Sequence, residues 1–422
     1  MIYNIVIYFV LWGIAIASLF NEKVRKMWRG EREAFKILKQ KVDPTAKYIW
    51  FHAASLGEFE QGRPLMERIR KEYPQYKILL TFYSPSGYEV RKNYEGADII
   101  CYMPVDTRLN AIRFLRLVRP VMAFFIKYEF WSNFLHILKH RNIPTYSVSS
   151  IFREDQVFFK WYGRSYAGVL KCFTRFFVQN EESKRLLESI GITDVDVVGD
   201  TRFDRVLQIK QAAKHLPICE AFRSGVVDSA ASSEKASHPD YKVFVAGSSW
   251  PPDEEIFIRF FNEHKDWRLL IAPHVIAEEH LKLILSLLKN KKVVRYTQTT
   301  PEEAAKADVL IIDCFGLLSS MYNYGDVAYI GGGFGVGIHN TLEAAVWNMP
   351  VIFGPNNKKF QEAQGLLESG GGFEINTYED FSGLMSSLMN DETFLKQAGD
   401  KAGAFVAHLA GATDKVLASV KL

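Results

Sequence analysis

Short apolar runs recur along this chain, each followed by a segment with helical spacing, and they constrain its fold more than any other feature. A strand that is apolar on both faces has to be covered on both. Strands that alternate with helices are covered in that way when they lie parallel in one sheet. One series of runs occupies 48–54, 77–83, 98–102, 121–126, 145–148, 173–178 and 195–198, with helical periodicity between them, as at 59–70 and 109–117. A second occupies 242–246, 268–272, 292–296, 309–312, 327–330, 351–353 and 373–375. The economical reading is α/β, with two Rossmann-like halves. A length of 422 residues agrees, because one hydrophobic core rarely organises so long a chain. Between the two series, residues 224–240 (SGVVDSAASSEKASHPD) have no usable apolar face and read as a linker or loop. The expected divisions are 47–223 for the first domain, 224–240 for the linker and 241–422 for the second domain.

Residues 2–20 carry no charge and are almost wholly apolar, which is about the length needed to cross a bilayer core. The basic residues Lys23, Arg25, Lys26, Arg29 and Arg32 follow this run instead of preceding it. That order is unlike a secretory signal and holds the downstream side in the cytoplasm. Residues 1–21 therefore read as a membrane segment and 22–46 as a basic helical connection; a buried helix of the first domain is the competing reading. A formal charge of +4 is too small to mark a nucleic-acid binder. The four cysteines are far apart, without metal-ligand spacing, and read as reduced.

In open α/β sheets ligands collect at the carboxyl ends of the strands, so two such domains facing each other define a central cleft. The chemically distinctive residues fall at those ends. In HAASLGEFE (52–60) a strand turns through small residues into a helix near Glu58, a position that also suits a plain capping carboxylate. In FFIKYEFW (124–131) an apolar strand stops at Lys127 and Glu129. In VGDTRFD (198–204) a turn presents Arg202, which can bind phosphate bidentately or pair with Asp200 or Asp204 between the domains. In GGGFGVGIHNTLEAA (331–345) a strand enters a glycine loop, then a helix whose N–H groups and dipole attract anions, with Glu343 able to accept from ribose hydroxyls. His274 follows the strand at 268–272, and Phe315 with Gly316 can form a slot for a flat base. Ser249 reads as a helix cap. Neither a zinc spacing nor a nucleophile elbow is present, so a tightly bound metal and a serine hydrolase are not indicated, and no cofactor is expected.

The ordered set HAASLGE, KYEFW, VGDTRFD, APH, FG and HNTLEAA, together with the apolar N-terminus, resembles the 3-deoxy-D-manno-octulosonic acid (Kdo) transferases of lipopolysaccharide synthesis. The resemblance implies a GT-B fold preceded by a membrane-anchor helix and located at the bacterial inner membrane, with the catalytic domains on the cytoplasmic side. It implies CMP-Kdo as donor, the lipid A precursor as acceptor, and inversion without a bound metal. The first domain then binds the acceptor and the second the nucleotide sugar. The general base falls on Glu58, and nucleotide contacts fall on Pro273 and His274, on Phe315, Gly316 and Leu317, and on Asn340, Thr341, Leu342 and Glu343. Lys127 and Arg202 correspond to groups used near the transition state. An acid is common where Lys127 stands, which leaves Glu129 as the acid of that segment, and lysine is common where Arg202 stands. Two rival readings are a GT-B transferase of another nucleotide sugar and a non-enzymatic membrane adaptor; the second gives the glycine loop no purpose.

Overall fold

The computed structural model describes residues 2–226 and 241–422. Most of the linker expected at 224–240 lies outside the described residues. The chain begins with two helices, Ile2–Phe20 and Glu22–Lys41. Asn21 separates them, its side chain accepting from the Val24 N–H and so capping the second helix (3.2 Å). That second helix is amphipathic and turns Met27, Ala34, Phe35 and Leu38 inward at helical spacing. It approaches the sheet closely because residue 30 is glycine: a Cβ there would lie 2.1 Å from the Tyr102 ring. The first helix instead leaves Phe9, Trp12, Leu19 and Phe20 exposed. Its N-terminal end is tied to the body of the protein, since Tyr3 donates to Asp106 (2.5 Å) and Asn133 donates to Asn4 (2.8 Å).

The first sheet contains β1 (Lys47–Ala53), β2 (Tyr76–Phe82), β3 (Ile99–Tyr102), β4 (Met122–Ile126), β5 (Thr145–Ser150), β6 (Arg175–Val178) and β7 (Val195–Val197). All are parallel, in the order β3-β2-β1-β4-β5-β6-β7. The second contains β8 (Lys242–Ser249), β9 (Trp267–Pro273), β10 (Val293–Arg295), β11 (Val309–Ile311), β12 (Val327–Ile330), β13 (Val351–Phe353) and β14 (Gly372–Glu374). It is also parallel, in the order β10-β11-β9-β8-β12-β13-β14. Each strand falls on an apolar run identified from the sequence. The reason is burial on both faces: β1 is buried from Tyr48 to Ala53 and β4 throughout. Burying a side chain as large as Trp50 or Phe124 completely is worth roughly 1.5–3 kcal/mol or more, and clusters of such residues line both faces of the first sheet.

The chain divides by contacts into residues 1–205 with 410–422, and residues 206–409. This corrects the expected boundary at 223 and the assignment of everything beyond 241 to the second domain. Residues 206–226 belong with the second unit, where the Lys214 N–H donates to Ser320 (3.0 Å) and the Leu216 N–H to Tyr324 (2.8 Å). Residues 410–422 return to the first. There Asp204 accepts from the N–H groups of Gly411 and Thr413, and Ala412, Val416 and Val420 join the core beside β1 and β4.

Candidate active site

In each sheet the connections leaving one central pair of strands run in opposite directions, β1 and β4 in the first and β8 and β12 in the second. Loops leaving neighbouring strands in opposite directions open a crevice there. Glu58, Lys127 and Glu129 in the first unit and the glycine loop in the second sit at that point, while Arg202 follows β7 and Phe315 follows β11.

In the first unit β1 ends at Ala53 and the helix Leu56–Glu72 begins under a Ser55 cap, which accepts from the Glu58 N–H (3.4 Å). Glu58 Oε2 accepts in turn from the Ala54 N–H (2.5 Å). The capping role open to Glu58 is therefore realised, and it occupies one carboxylate oxygen. Burial, followed by the negative charge of Glu129, pushes the Glu58 carboxyl up to about 7, against the lowering effects of the Ala54 N–H and of Lys127. A carboxyl poised there exchanges protons near neutral pH, which a capping role does not require.

Beside it β4 ends at Ile126, and Lys127 adopts a left-handed backbone with φ of 60°, uncommon for a residue with a side chain. This turn brings Glu129 back over the sheet. Its Oε2 accepts from Trp131 Nε1 (2.6 Å) and pairs with His52 Nε2 (3.1 Å), while His52 Nδ1 meets Thr81 Oγ1 (2.9 Å). A proton on His52 Nε2 satisfies both ring nitrogens. Two partners thus fix Glu129 in place beside Glu58, where it adds to the effect of burial on that carboxyl. His52 and Trp131 were not assigned roles from sequence. The available signal was a histidine on the same strand face as Trp50, whose indole also donates to Thr81 (2.8 Å).

Arg202 lies on the helix Thr201–Gln211 after β7. Its Nε donates to Asp200 (2.8 Å), which also accepts from Gln61 (3.1 Å). Of the two partners expected for Arg202, its Nε takes Asp200, within the first unit. Asp204 is committed to residues 411 and 413.

In the second unit the glycine loop after β12 meets the loop after β8, with the Gly331 N–H donating to Gly247 O (3.0 Å). A Cβ on Gly331 would lie 2.2 Å from Ser248 O, and Gly332 has φ of 92°. The buried Asp253 straps the two loops: it accepts from Trp250 N and Gly332 N (2.9 Å each) and from the Tyr329 hydroxyl (2.8 Å). Asp253, not Ser249, completes the start of the helix Pro251–Glu263. Ser249 is buried and donates to Glu254 (2.7 Å). Above the loops His274 stacks between Trp250 (4.7 Å) and His339 (4.4 Å), and the Trp250 indole N–H donates to His339 Nε2 (3.2 Å).

Phe315 stands largely exposed at the end of β11, followed by Gly316 in a left-handed turn (φ 85°) and Leu317. Asn340 donates to Glu343 (3.0 Å) and accepts from the Leu342 N–H (3.2 Å). Thr341 and Leu342 are fully buried, and among the described residues the Thr341 hydroxyl has no hydrogen-bond partner. Pro273 is buried at the end of β9. One expectation is corrected here. The helix after the glycine loop, Leu342–Ala345, is one turn long and lacks the aligned peptides of a macrodipole. Leu342 turns its side chain into the core. Among the described residues no His, Cys, Asp and Glu side chains converge as a metal site.

Over residues 29–205 the sequence matches the family model described as 3-deoxy-D-manno-octulosonic-acid transferase (kdotransferase). Proteins named 3-deoxy-D-manno-octulosonic acid transferase are similar over most of the chain. That of Rickettsia felis is 27% identical over 369 residues, covering 85% of this chain and 75% of the relative. That of Haemophilus influenzae is 25% identical over 394 residues, covering 90% and 87%. This chain is similar to the Kdo transferases over most of its length, and residues 29–205 match their family model. It is a glycosyltransferase of lipopolysaccharide synthesis. The fold is GT-B, shared with solved structures of low identity. UDP-GlcNAc 2-epimerase from Neisseria meningitidis superposes with a TM-score of 0.59 at 15% identity, covering 88% of this chain and 98% of that one. Acinetobacter baumannii MurG superposes with a TM-score of 0.52 at 12% identity, with the same coverage.

Proposed function

We propose that this chain moves Kdo from CMP-Kdo to the lipid A precursor with inversion, Glu58 acting as general base. Glu58, as carboxylate, takes the proton from an acceptor hydroxyl while that oxygen attacks the anomeric carbon and CMP leaves from the opposite face. One displacement inverts the centre. Arg202 offsets charge on the single leaving phosphate. The second unit holds CMP through the glycine loop, with Asn340 and Glu343 at the ribose and the Phe315–Gly316 turn at the base. The supporting observation is the Glu58 carboxyl, half-buried at the β1–β4 switch point and raised to about 7 beside a fixed Glu129.

The exposed helix Ile2–Phe20 supports an inner-membrane location with both units on the cytoplasmic side. Because its first turn is bonded to Asp106 and Asn133, the helix lies along the bilayer surface in this reading and does not cross it. The test is transfer from labelled CMP-Kdo, and separately from UDP- and ADP-sugars, to a detergent-dispersed lipid A precursor. Release of CMP with an inverted ketosidic product is expected; transfer from a UDP- or ADP-sugar alone would establish the rival donor.

A further inference from the structure

A cavity of about 300 Å³ opens beside the helix Ile2–Phe20, walled by Leu11, Trp28, Phe35, Pro104 and Val105. Three charged side chains complete it: Glu31, Arg32 and Arg113. Glu31 occupies a core position of the helix Glu22–Lys41 and is 5% exposed, yet among the described residues its Oε1 has no hydrogen-bond partner. A buried polar atom left unpaired costs about 1–3 kcal/mol, so its retention calls for an occupant. The two guanidiniums stand on ring faces, Arg32 over Trp28 and Arg113 over Phe35, each 4.3 Å from the centroid. Among the described residues neither is paired with a carboxylate, so their N–H edges are open to an anion.

We propose that this cavity binds the phosphate-bearing headgroup of an anionic membrane lipid, with Arg32 and Arg113 on the phosphate and Glu31 donating from inside. The exposed apolar surface of the adjoining helix, with Phe9, Trp12 and Leu19, supplies the acyl-chain side of the same site. Burial pushes the Glu31 carboxyl up to about 8, so near neutral pH it is mostly the acid and has a proton to give. The phenols of Tyr83 and Tyr102 face it as well; both are raised by burial first, with Glu31 contributing, and stay neutral. The site rests on the surface-lying reading of the first helix and is independent of the donor chemistry.

The experiment is co-sedimentation of the full-length protein with phosphatidylcholine vesicles, with and without phosphatidylglycerol, at about 0.15 M salt, where the Debye length is about 8 Å. Phosphatidylglycerol is expected to tighten binding by about tenfold or more, the scale of one or two charge-assisted hydrogen bonds. The double variant Arg32→Gln/Arg113→Gln is expected to lose most of that gain and to keep its binding to phosphatidylcholine. Lys23→Gln/Lys26→Gln removes equal charge outside the cavity and is expected to keep most of the gain; equal losses in the two doubles would overturn the proposal. Glu31→Gln, which still donates, should retain the gain, and Glu31→Leu should lose it, each with a native circular dichroism spectrum. If millimolar inorganic phosphate abolishes the phosphatidylglycerol gain, the site is one for soluble phosphate and the lipid assignment fails. Absence of binding to phosphatidylcholine would instead refute the membrane-facing helix, on which detergent-phase transfer does not depend.

Discussion

The two units reverse their strand order in the same manner and fill the resulting crevice with opposite materials. At the β1–β4 point the first unit places charged side chains, Glu58, Lys127 and Glu129, fixed by a Thr81–His52 relay and an indole N–H. At the β8–β12 point the second unit places backbone and rings: glycines approached within contact by other main chain, strapped by Asp253, under a Trp250–His274–His339 stack. Topology supplies a location, and the side chains decide whether it does chemistry or holds a ligand. A proton-transfer site needs groups whose ionisation the surroundings tune. A nucleotide site needs close approach and flat surfaces.

This contrast predicts that damage to the first crevice appears in turnover and damage to the second in donor affinity. The largest effect is expected from Glu58→Gln: a fall in kcat of about 10²- to 10⁴-fold, the usual contribution of a positioned base, with CMP affinity within a few-fold by calorimetry. Loss of CMP binding would mean that Glu58 is only a cap. Next comes Arg202→Ala, expected to slow the chemical step by about a hundredfold in single-turnover assays. Near-normal turnover would leave Arg202 as the partner of Asp200 and nothing more.

Asp253→Ala should move the other quantity. Freeing the Gly332 and Trp250 N–H groups is expected to lower thermal stability by about 1–3 kcal/mol and to raise KM for the donor more than it lowers kcat. A pure kcat defect would break the comparison. The smallest effect is a shift in pH profile. The base must be deprotonated, so kcat/KM should climb as pH rises towards about 7 and level off above it, because Glu58 titrates near there. Glu129→Gln removes a charge that raises Glu58 and should move that climb to lower pH; Lys127→Gln removes one that lowers it and should move the climb higher. Rate profiles that superpose across the three proteins would show that Glu58 does not set the pH dependence.

The central strands, such as β1 and β4, were legible in the sequence because each is an apolar run buried on both faces, whereas edge strands such as β7 and β10 are short and partly exposed. The charged residues at strand ends were legible for the same reason, since they mark where burial stops. Contacts between segments far apart in the chain were not. Nothing local to His274 shows that it lies between two rings, and Asp253 reads as an ordinary first-turn acid until its bond to Gly332 is seen. The single-turn helix at Leu342–Ala345 was missed because an alanine-rich stretch carries high helix propensity while tertiary packing ends it. The domain boundary failed on tertiary grounds too, since the anchors of residues 214 and 216 lie more than a hundred positions away.

The return of residues 410–422 to the first unit sets an order of assembly. As the chain is synthesised, residues 206–409 emerge complete before the segment that closes the core beside β1 and β4 has been made. The unit begun first is therefore finished last. Until then Asp204 lacks the Gly411 and Thr413 donors, and the apolar surface around Ala412, Val416 and Val420 stays open to chaperones or to misassociation.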